Sequence, residues 1–217
     1  MGANPSKRRT HTVQLSSHPE YPARSPVVDI HWNVPDPNYK PVEFTSPKVL
    51  AADSSKVPDG WADPAEMTDD LRFEISPRVS HALKVGGRVK MVDGFPRNPI
   101  GRTGMTGRGL LGKYGPNQAA DALITRYNSQ NNLEMIAVKR GDNGAWAIPG
   151  GMVNKNESAR HAAIRELFEE SLDTSDGYKE VNAKLDKLLR EGRAAVYIGY
   201  VDDPRNTDIS WMEVSPN

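Results

Sequence analysis

Three glutamates, Glu166, Glu169 and Glu170, stand three and four residues apart in the run RELFEE at 165–170. On a helix that spacing places all three on one face within about one turn. Like charges so arranged repel, and the arrangement becomes tolerable when a divalent cation sits among them. A donor set made only of oxygen suits Mg²⁺ or Mn²⁺. Arg165 adjoins the cluster and Glu157 stands eight residues before it, a pair able to orient carboxylates, while the Gly150-Gly151 turn brings a backbone carbonyl toward the same place. Carboxylates holding divalent ions neutralise a diphosphate and activate water, the two requirements for cleaving a phosphoanhydride. The bland alternative is a solvated, glutamate-rich helix face.

The elements that must position these residues follow from periodicity and turn chemistry. Residues 122–127 (ALITRY) and 133–140 (LEMIAVKR) read as a hairpin about the polar turn 128–132, and 146–149 as a short strand that stops at Gly150-Gly151. Residues 157–171 then form the chemistry-bearing helix, with Ala163, Leu167 and Phe168 available to its buried side. A second helix is predicted over 178–190 and a last strand over 194–201 (AAVYIGYV). Upstream, prolines between 19 and 47 exclude long helices, leaving short strands such as 41–44. Residues 96–117 (PRNPIGRTGMTGRGLLGKYGPN) read as an ordered loop or linker. Its glycines and arginines suit either a diphosphate cradle or a structural crossover whose arginines bind carbonyls and carboxylates, and the second is favoured. The tryptophans, Trp32, Trp61, Trp146 and Trp211, are expected mostly in core or cleft walls.

Length and composition narrow the class. The chain has 217 residues, room for one large domain or two small ones. With 28 Lys+Arg against 28 Asp+Glu there is no overall charge to attract nucleic acid. No run approaches the roughly 18 apolar residues of a spanning helix. The absence of cysteine removes disulfides, thiolate metal sites and a cysteine nucleophile. These features describe a soluble intracellular chain divided into a flexible basic tail (1–20), an N-terminal lobe (21–117) rich in proline and glycine, and an α/β domain (118–217).

Gly151, Glu157 and 165–170 together satisfy the Nudix box, G-x5-E-x7-R-E-U-x-E-E-x-G-U, through Glu170. Leu172 and Asp173 depart from it, at the box's second glycine and last aliphatic position. With 39–44 (YKPVEF), 96–117, 146–153 (WAIPGGMV) and 200–208 (YVDDPRNTD), the chain resembles the mitochondrial-type ADP-ribose pyrophosphatase branch of Nudix hydrolases. It is also similar to the ADP-ribose-sensing domain of melastatin-type TRP channels. The resemblance runs from about residue 21 to 213. It implies a Nudix α/β/α sandwich with a mixed sheet behind the smaller N-terminal lobe, ADP-ribose held between the lobes, and Mg²⁺-dependent hydrolysis to AMP and ribose 5-phosphate by a monomer. Glu166, Glu169, Glu170 and the Gly151 carbonyl would hold the metal, and Arg165 would orient a carboxylate. Asp203, Arg205, Thr125 and Arg126 would contact substrate, with Arg205 alternatively a surface arginine paired to Asp202 or Asp208. Glu170 is the candidate general base. The resemblance also implies further C-terminal strands and a helix that the chain lacks, so a weakly active truncated form is one expectation and a non-hydrolysing sensor another. At the N-terminus, Met1 to Ser6 fits M-G-x-x-x-[ST] ahead of Lys7-Arg8-Arg9, a weak lipid anchor at Gly2. The readings that compete with it are a plain disordered tail and a mitochondrial presequence; the protein is therefore expected in cytoplasm or mitochondrion.

Overall fold

The computed structural model of the chain describes residues 20–76, 78–81, 87–141, 144–171 and 195–214. The tail before Glu20, Leu172, Asp173 and the helix predicted over 178–190 lie outside the described residues. The chain falls into two compact units, Met1–Asn117 with Val201–Met212, and Gln118–Tyr200 with Glu213–Asn217. Val201–Met212 thus clusters with the first unit, although the sequence division left it in the second. Side-chain chemistry explains this: the buried Asp208 carboxylate accepts from the Thr103 N–H and hydroxyl at 2.7 and 2.8 Å and from the Tyr39 hydroxyl at 2.6 Å. Among the described residues no helix is long and apolar enough to cross a membrane.

In unit 1, β1 (Val42–Thr45) leads into α1 (Pro47–Ala51), where the Ser46 hydroxyl accepts from the Lys48 N–H and Pro47 opens the first turn. Thr68 caps α2 (Asp69–Ile75) by accepting from the Leu71 N–H, with Asp69 and Asp70 at the electropositive end. Two small antiparallel pairs follow, β2 (Val79–Ser80) with β3 (Gly87–Arg88) and β4 (Met91–Val92) with β5 (Phe95–Pro96). Residues 96–117 are not simply a loop: β6 (Met105–Gly109) pairs parallel with β1, and β7 (Gly115–Asp121) begins inside the segment. Glycine makes this approach feasible, because Gly107 has φ +82° and a Cβ there would lie 2.3 Å from the Phe44 carbonyl oxygen. The arginines of the segment bind carbonyls, Arg102 those of Asp29, His31 and Val34, and Arg108 that of Asp63. The core gathers Leu71, Ile75 and Tyr114 with Met67, Met91, Phe95 and Ile209 around it.

In unit 2, β8 (Thr125–Tyr127) and β9 (Leu133–Met135) form a hairpin closed by Asn128, whose side-chain oxygen accepts from the Gln130 and Asn132 N–H groups. Next, β10 (Val138–Lys139) pairs with β11 (Trp146–Ala147). The glycine pair does not end the strand pattern as expected: β12 (Gly150–Met152) runs antiparallel to the end of β7, with Gly150 opposite Asp121 and Gly151 opposite Ala120. Helix α3 (Ala159–Ser171) starts two residues after Glu157, at which the sequence places the helix start, because the Ser158 hydroxyl accepts from the His161 N–H and caps it there. Its Ala159 and Ala162 pack on Ala120, and Leu167 and Phe168 are buried as the periodicity requires. The strand predicted over 194–201 shrinks to β13 (Gly199–Tyr200), paired with the end of β14 (Ser210–Val214); Val196 and Tyr197 before it are exposed. Of the tryptophans, Trp211 is fully buried, while Trp61 and Trp146 are more than half exposed.

Candidate active site

Small residues bring α3 onto its strand pair. Ala120 of β7 and Ala159 and Ala162 of α3 leave little between helix and ladder. The helix face beyond them carries the carboxylates over Gly150 and Gly151. Arg165 organises this face. Its guanidinium donates to Glu157 from Nε and Nη2 at 2.9 and 3.0 Å, to Glu166 from Nη1 at 2.7 Å, and to the Met152 carbonyl at 3.0 Å. Glu169 receives a weaker contact from Nη1 at 3.4 Å. Hydrogen bonding from Arg165 first, and from the Asn154 N–H, holds the Glu157 carboxyl below its ordinary range against the opposing effect of burial. The same bonds raise the Arg165 pKa, so the cation is permanent.

The donor chemistry fits a hard divalent ion: three carboxylates and a backbone carbonyl, all oxygen. Gly151 has no side chain where Glu166 needs space, since a Cβ there would lie 2.3 Å from Glu166 Oε1. The carboxylates are nonetheless held apart by protein partners. Arg165 takes Glu166 and Glu169, and the Gly150 N–H donates to Glu170 Oε2 at 3.1 Å. Among the described residues no three acidic or imidazole side chains converge at metal-binding distance.

Two features escaped the sequence reading. Asp121, opposite Gly150, adds a fourth acid; packing takes its carboxyl partly out of water, and with the charges of Glu170 and Glu166 this raises its pKa. A groove of about 460 Å³ runs along β10 and β11 with Lys139 and Arg140 beside it, Ile148 in its wall and Glu170 and Gly150 at its lining. No spacing in the sequence links either feature to the box, because both depend on strand register.

The remaining expected site residues lie elsewhere. Thr125 and Arg126 are on the exposed β8, and Arg126 Nε pairs with Glu134 at 2.9 Å rather than with the box carboxylates. Asp203 and Arg205 belong to unit 1 and hold each other, Arg205 Nε and Nη2 each 2.8 Å from one Asp203 oxygen. Arg205 is thus paired with Asp203.

A helix whose RE..EE face sits over a glycine pair, entered from a strand and a capped loop, defines the Nudix class of α/β proteins. Two family descriptions match the chain, "NUDT9-like, N-terminal domain" over residues 26–115 and "NUDIX domain" over residues 116–191. A putative nudix hydrolase 6 of Caenorhabditis elegans is 42% identical, with 85% of this chain and 68% of that protein covered. The chain belongs to the Nudix hydrolase family. The mitochondrial ADP-ribose pyrophosphatase of Rattus norvegicus is 38% identical, covering 98% of this chain and 65% of its own length. A transient receptor potential cation channel subfamily M member-like 2 of Nematostella vectensis is 42% identical over 85% of this chain. The chain spans 13% of that channel and just under two thirds of the rat enzyme.

Proposed function

We propose that the chain hydrolyses the diphosphate of ADP-ribose to AMP and ribose 5-phosphate in the presence of Mg²⁺, with Mn²⁺ as a substitute. The observation that carries this reading is the registration of Glu166 against Gly151 and of Glu170 against Gly150, with Glu170 also lining the groove that holds Lys139 and Arg140. The name of the rat relative supports the choice of substrate. Glu166, Glu169, Glu170 and the Gly151 carbonyl would hold the ion. When bound, a divalent ion supplies positive charge to the diphosphate oxygens and acidifies a water.

The chain's own residues do the rest. Lys139 and Arg140 meet phosphate oxygens along the groove, as cations beside a polyanion do. Arg165 orients Glu166 and Glu157 and keeps Glu157 ionised. Water adds to one phosphorus, the bridging P–O bond breaks, and the proton of the water passes to Glu170. Glu170 is assigned that role because it lines the groove, whereas Glu166 and Glu169 are engaged by Arg165. Asp203, Arg205, Thr125 and Arg126 are proposed as contacts to the nucleoside and ribose ends.

The test is product analysis of ADP-ribose incubated with Mg²⁺: equimolar AMP and ribose 5-phosphate are expected, lost in Glu169→Gln/Glu170→Gln. Binding of ADP-ribose without turnover by the unmodified chain would replace this reading with that of a sensor. For location we take the mitochondrion, on the name of the rat relative, with lipid attachment at Gly2 as the competing address. Intact-mass analysis of protein from eukaryotic cells decides between a myristoylated Gly2 and a processed or unmodified N-terminus.

A further inference from the structure

An indole ring left in water gains nothing for the fold, so a tryptophan is ordinarily packed or bonded. Trp211 is fully buried. Trp32 donates its ring N–H to the Asn98 carbonyl at 2.8 Å and lies against the guanidinium groups of Arg97 and Arg102. Trp61 packs on Gly112, where an added Cβ would lie 2.3 Å from its ring. Trp146 differs from all three: it is 71% exposed, and among the described residues no ring, cation or hydrogen-bond partner meets its side chain. Its place on the ladder gives the open ring a neighbour. In the β10–β11 pair Trp146 stands directly opposite Lys139, and Ala147 opposite Val138. Directly opposed residues project from one face with Cβ atoms about 4.5–5.5 Å apart. Lys139, Val138 and Ala147 line the groove of about 460 Å³ that Glu170 also lines. The free indole is therefore the cross-strand neighbour of a cation in the groove beside α3.

We propose that Trp146 is the platform on which the base of the substrate stacks, so that the groove takes a nucleoside diphosphate in preference to a bare diphosphate. The inference rests on the reading of this groove as the diphosphate site. The Lys139 ammonium, a compact point charge, meets a phosphate. A base joined to that phosphate through one ribose reaches the side chain next to the lysine, and that side chain is an aromatic face with nothing over it. Stacking requires only a π face, so the ring rewards the presence of a base without choosing adenine over guanine. A diphosphate that carries no base makes the same contact with Lys139 and gains nothing from the ring. The placement on a paired strand, two residues before Ile148 in the groove wall, holds the platform in fixed register with the cation.

The experiment is calorimetric binding of ADP-ribose and of inorganic pyrophosphate to the full chain in the Glu169→Gln/Glu170→Gln background, where turnover does not intervene, with indole fluorescence followed in parallel. Trp146→Ala and Trp146→Phe are compared with Phe73→Ala, which removes an equally unpartnered exposed ring from α2. The expected result is ADP-ribose affinity weakened about tenfold in Trp146→Ala, by less than threefold in Trp146→Phe, and unchanged in Phe73→Ala, with pyrophosphate affinity the same in all. ADP-ribose should quench indole emission, and Trp146→Phe should abolish that quenching. Weakening of less than threefold in Trp146→Ala, an equal loss in Trp146→Phe, or an equal loss for pyrophosphate overturns the stacking assignment. If the chain with Trp146 intact takes up no ADP-ribose, the reading of the groove fails first and carries this inference with it. Trp146→Ala should melt like its parent, because an exposed side chain without partners is removed. Should it lose its cooperative melt, Trp146→Leu, apolar but without a π face, supplies the same comparison.

Discussion

Gly151→Ala is the substitution whose consequence the structure specifies most closely. The added Cβ would stand 2.3 Å from Glu166 Oε1, 2.4 Å from its carboxyl carbon and 2.7 Å from Oε2, so the carboxylate must retreat by about 1 Å to reach ordinary contact. That movement breaks the 2.7 Å bond from Arg165 Nη1, while the two bonds from Arg165 to Glu157 remain. A charge-assisted bond contributes about 1.5–3 kcal/mol, and the partial exposure of the pair reduces the expected loss to about 1–2 kcal/mol. For a chain of this size that is a fall in Tm of roughly 2–8 °C. The control is Gly141→Ala, where among the described residues an added Cβ meets nothing within 4 Å and the stiffer unfolded chain should leave stability unchanged or up to about 1 kcal/mol higher. Thermal melts in EDTA and Mn²⁺ titrations of both variants give the comparison. Gly151→Ala should be less stable and bind the ion more weakly than Gly141→Ala; equal melts with equal Mn²⁺ affinity would refute the placement of Glu166 against Gly151.

Tyr39→Phe removes the hydroxyl that donates to the buried Asp208 and accepts from the Gly104 N–H, and should cost about 1.5–3 kcal/mol in urea unfolding; a loss below about 0.5 kcal/mol would contradict that network. The Asp53 carboxyl is held down at about 2 by the Ser55 hydroxyl foremost, then by the Ala65 and Ser55 N–H groups, against burial. Because the folded value lies below the ordinary one, this stabilisation is present above the usual carboxylate range and is lost as pH falls toward 2. Asp53→Asn should therefore flatten the acid limb of the stability curve, and an unchanged limb would count against it. Glu169→Gln with Glu170→Gln should lower kcat by orders of magnitude while ADP-ribose still binds, read by calorimetry; retained kcat removes the metal assignment. Arg205→Ala should raise KM for ADP-ribose with little change in kcat, whereas an unchanged KM would leave Arg205 as a structural partner of Asp203 alone.

What could be read from the sequence was local. The glutamates at 166, 169 and 170 and the buried Leu167 and Phe168 follow from one helical period, and a helix carries its geometry within itself, while the Glu157–Arg165 pair joins the helix to the loop just before it, at the spacing of the box. The parallel pairing of β1 with β6 was hidden, because Met105–Gly109 is a strand whose glycines, at φ +82° for Gly107 and +57° for Gly109, look like loop residues. Their purpose is visible only when the Phe44 carbonyl lies beneath Gly107. Asp121 was hidden for a related reason: one residue of slip between β7 and β12 would remove it from Gly150, and register is a long-range property. Arg205 illustrates the third case: the sequence offered Asp202 or Asp208 as a partner, and the two-residue geometry of the turn brings its guanidinium to Asp203.

The carboxylate face of α3, loaded with a divalent ion, is proposed to cleave a phosphoanhydride. The most direct measurement is hydrolysis of ADP-ribose in water enriched in oxygen-18, followed by mass spectrometry of the products in Mg²⁺ and again after EDTA. The expected outcome is one heavy oxygen in AMP or in ribose 5-phosphate, formation of both products in equal amounts, and complete loss of turnover in EDTA and in the Glu169→Gln/Glu170→Gln chain. Turnover that persists in EDTA, or products other than AMP and ribose 5-phosphate, would contradict it.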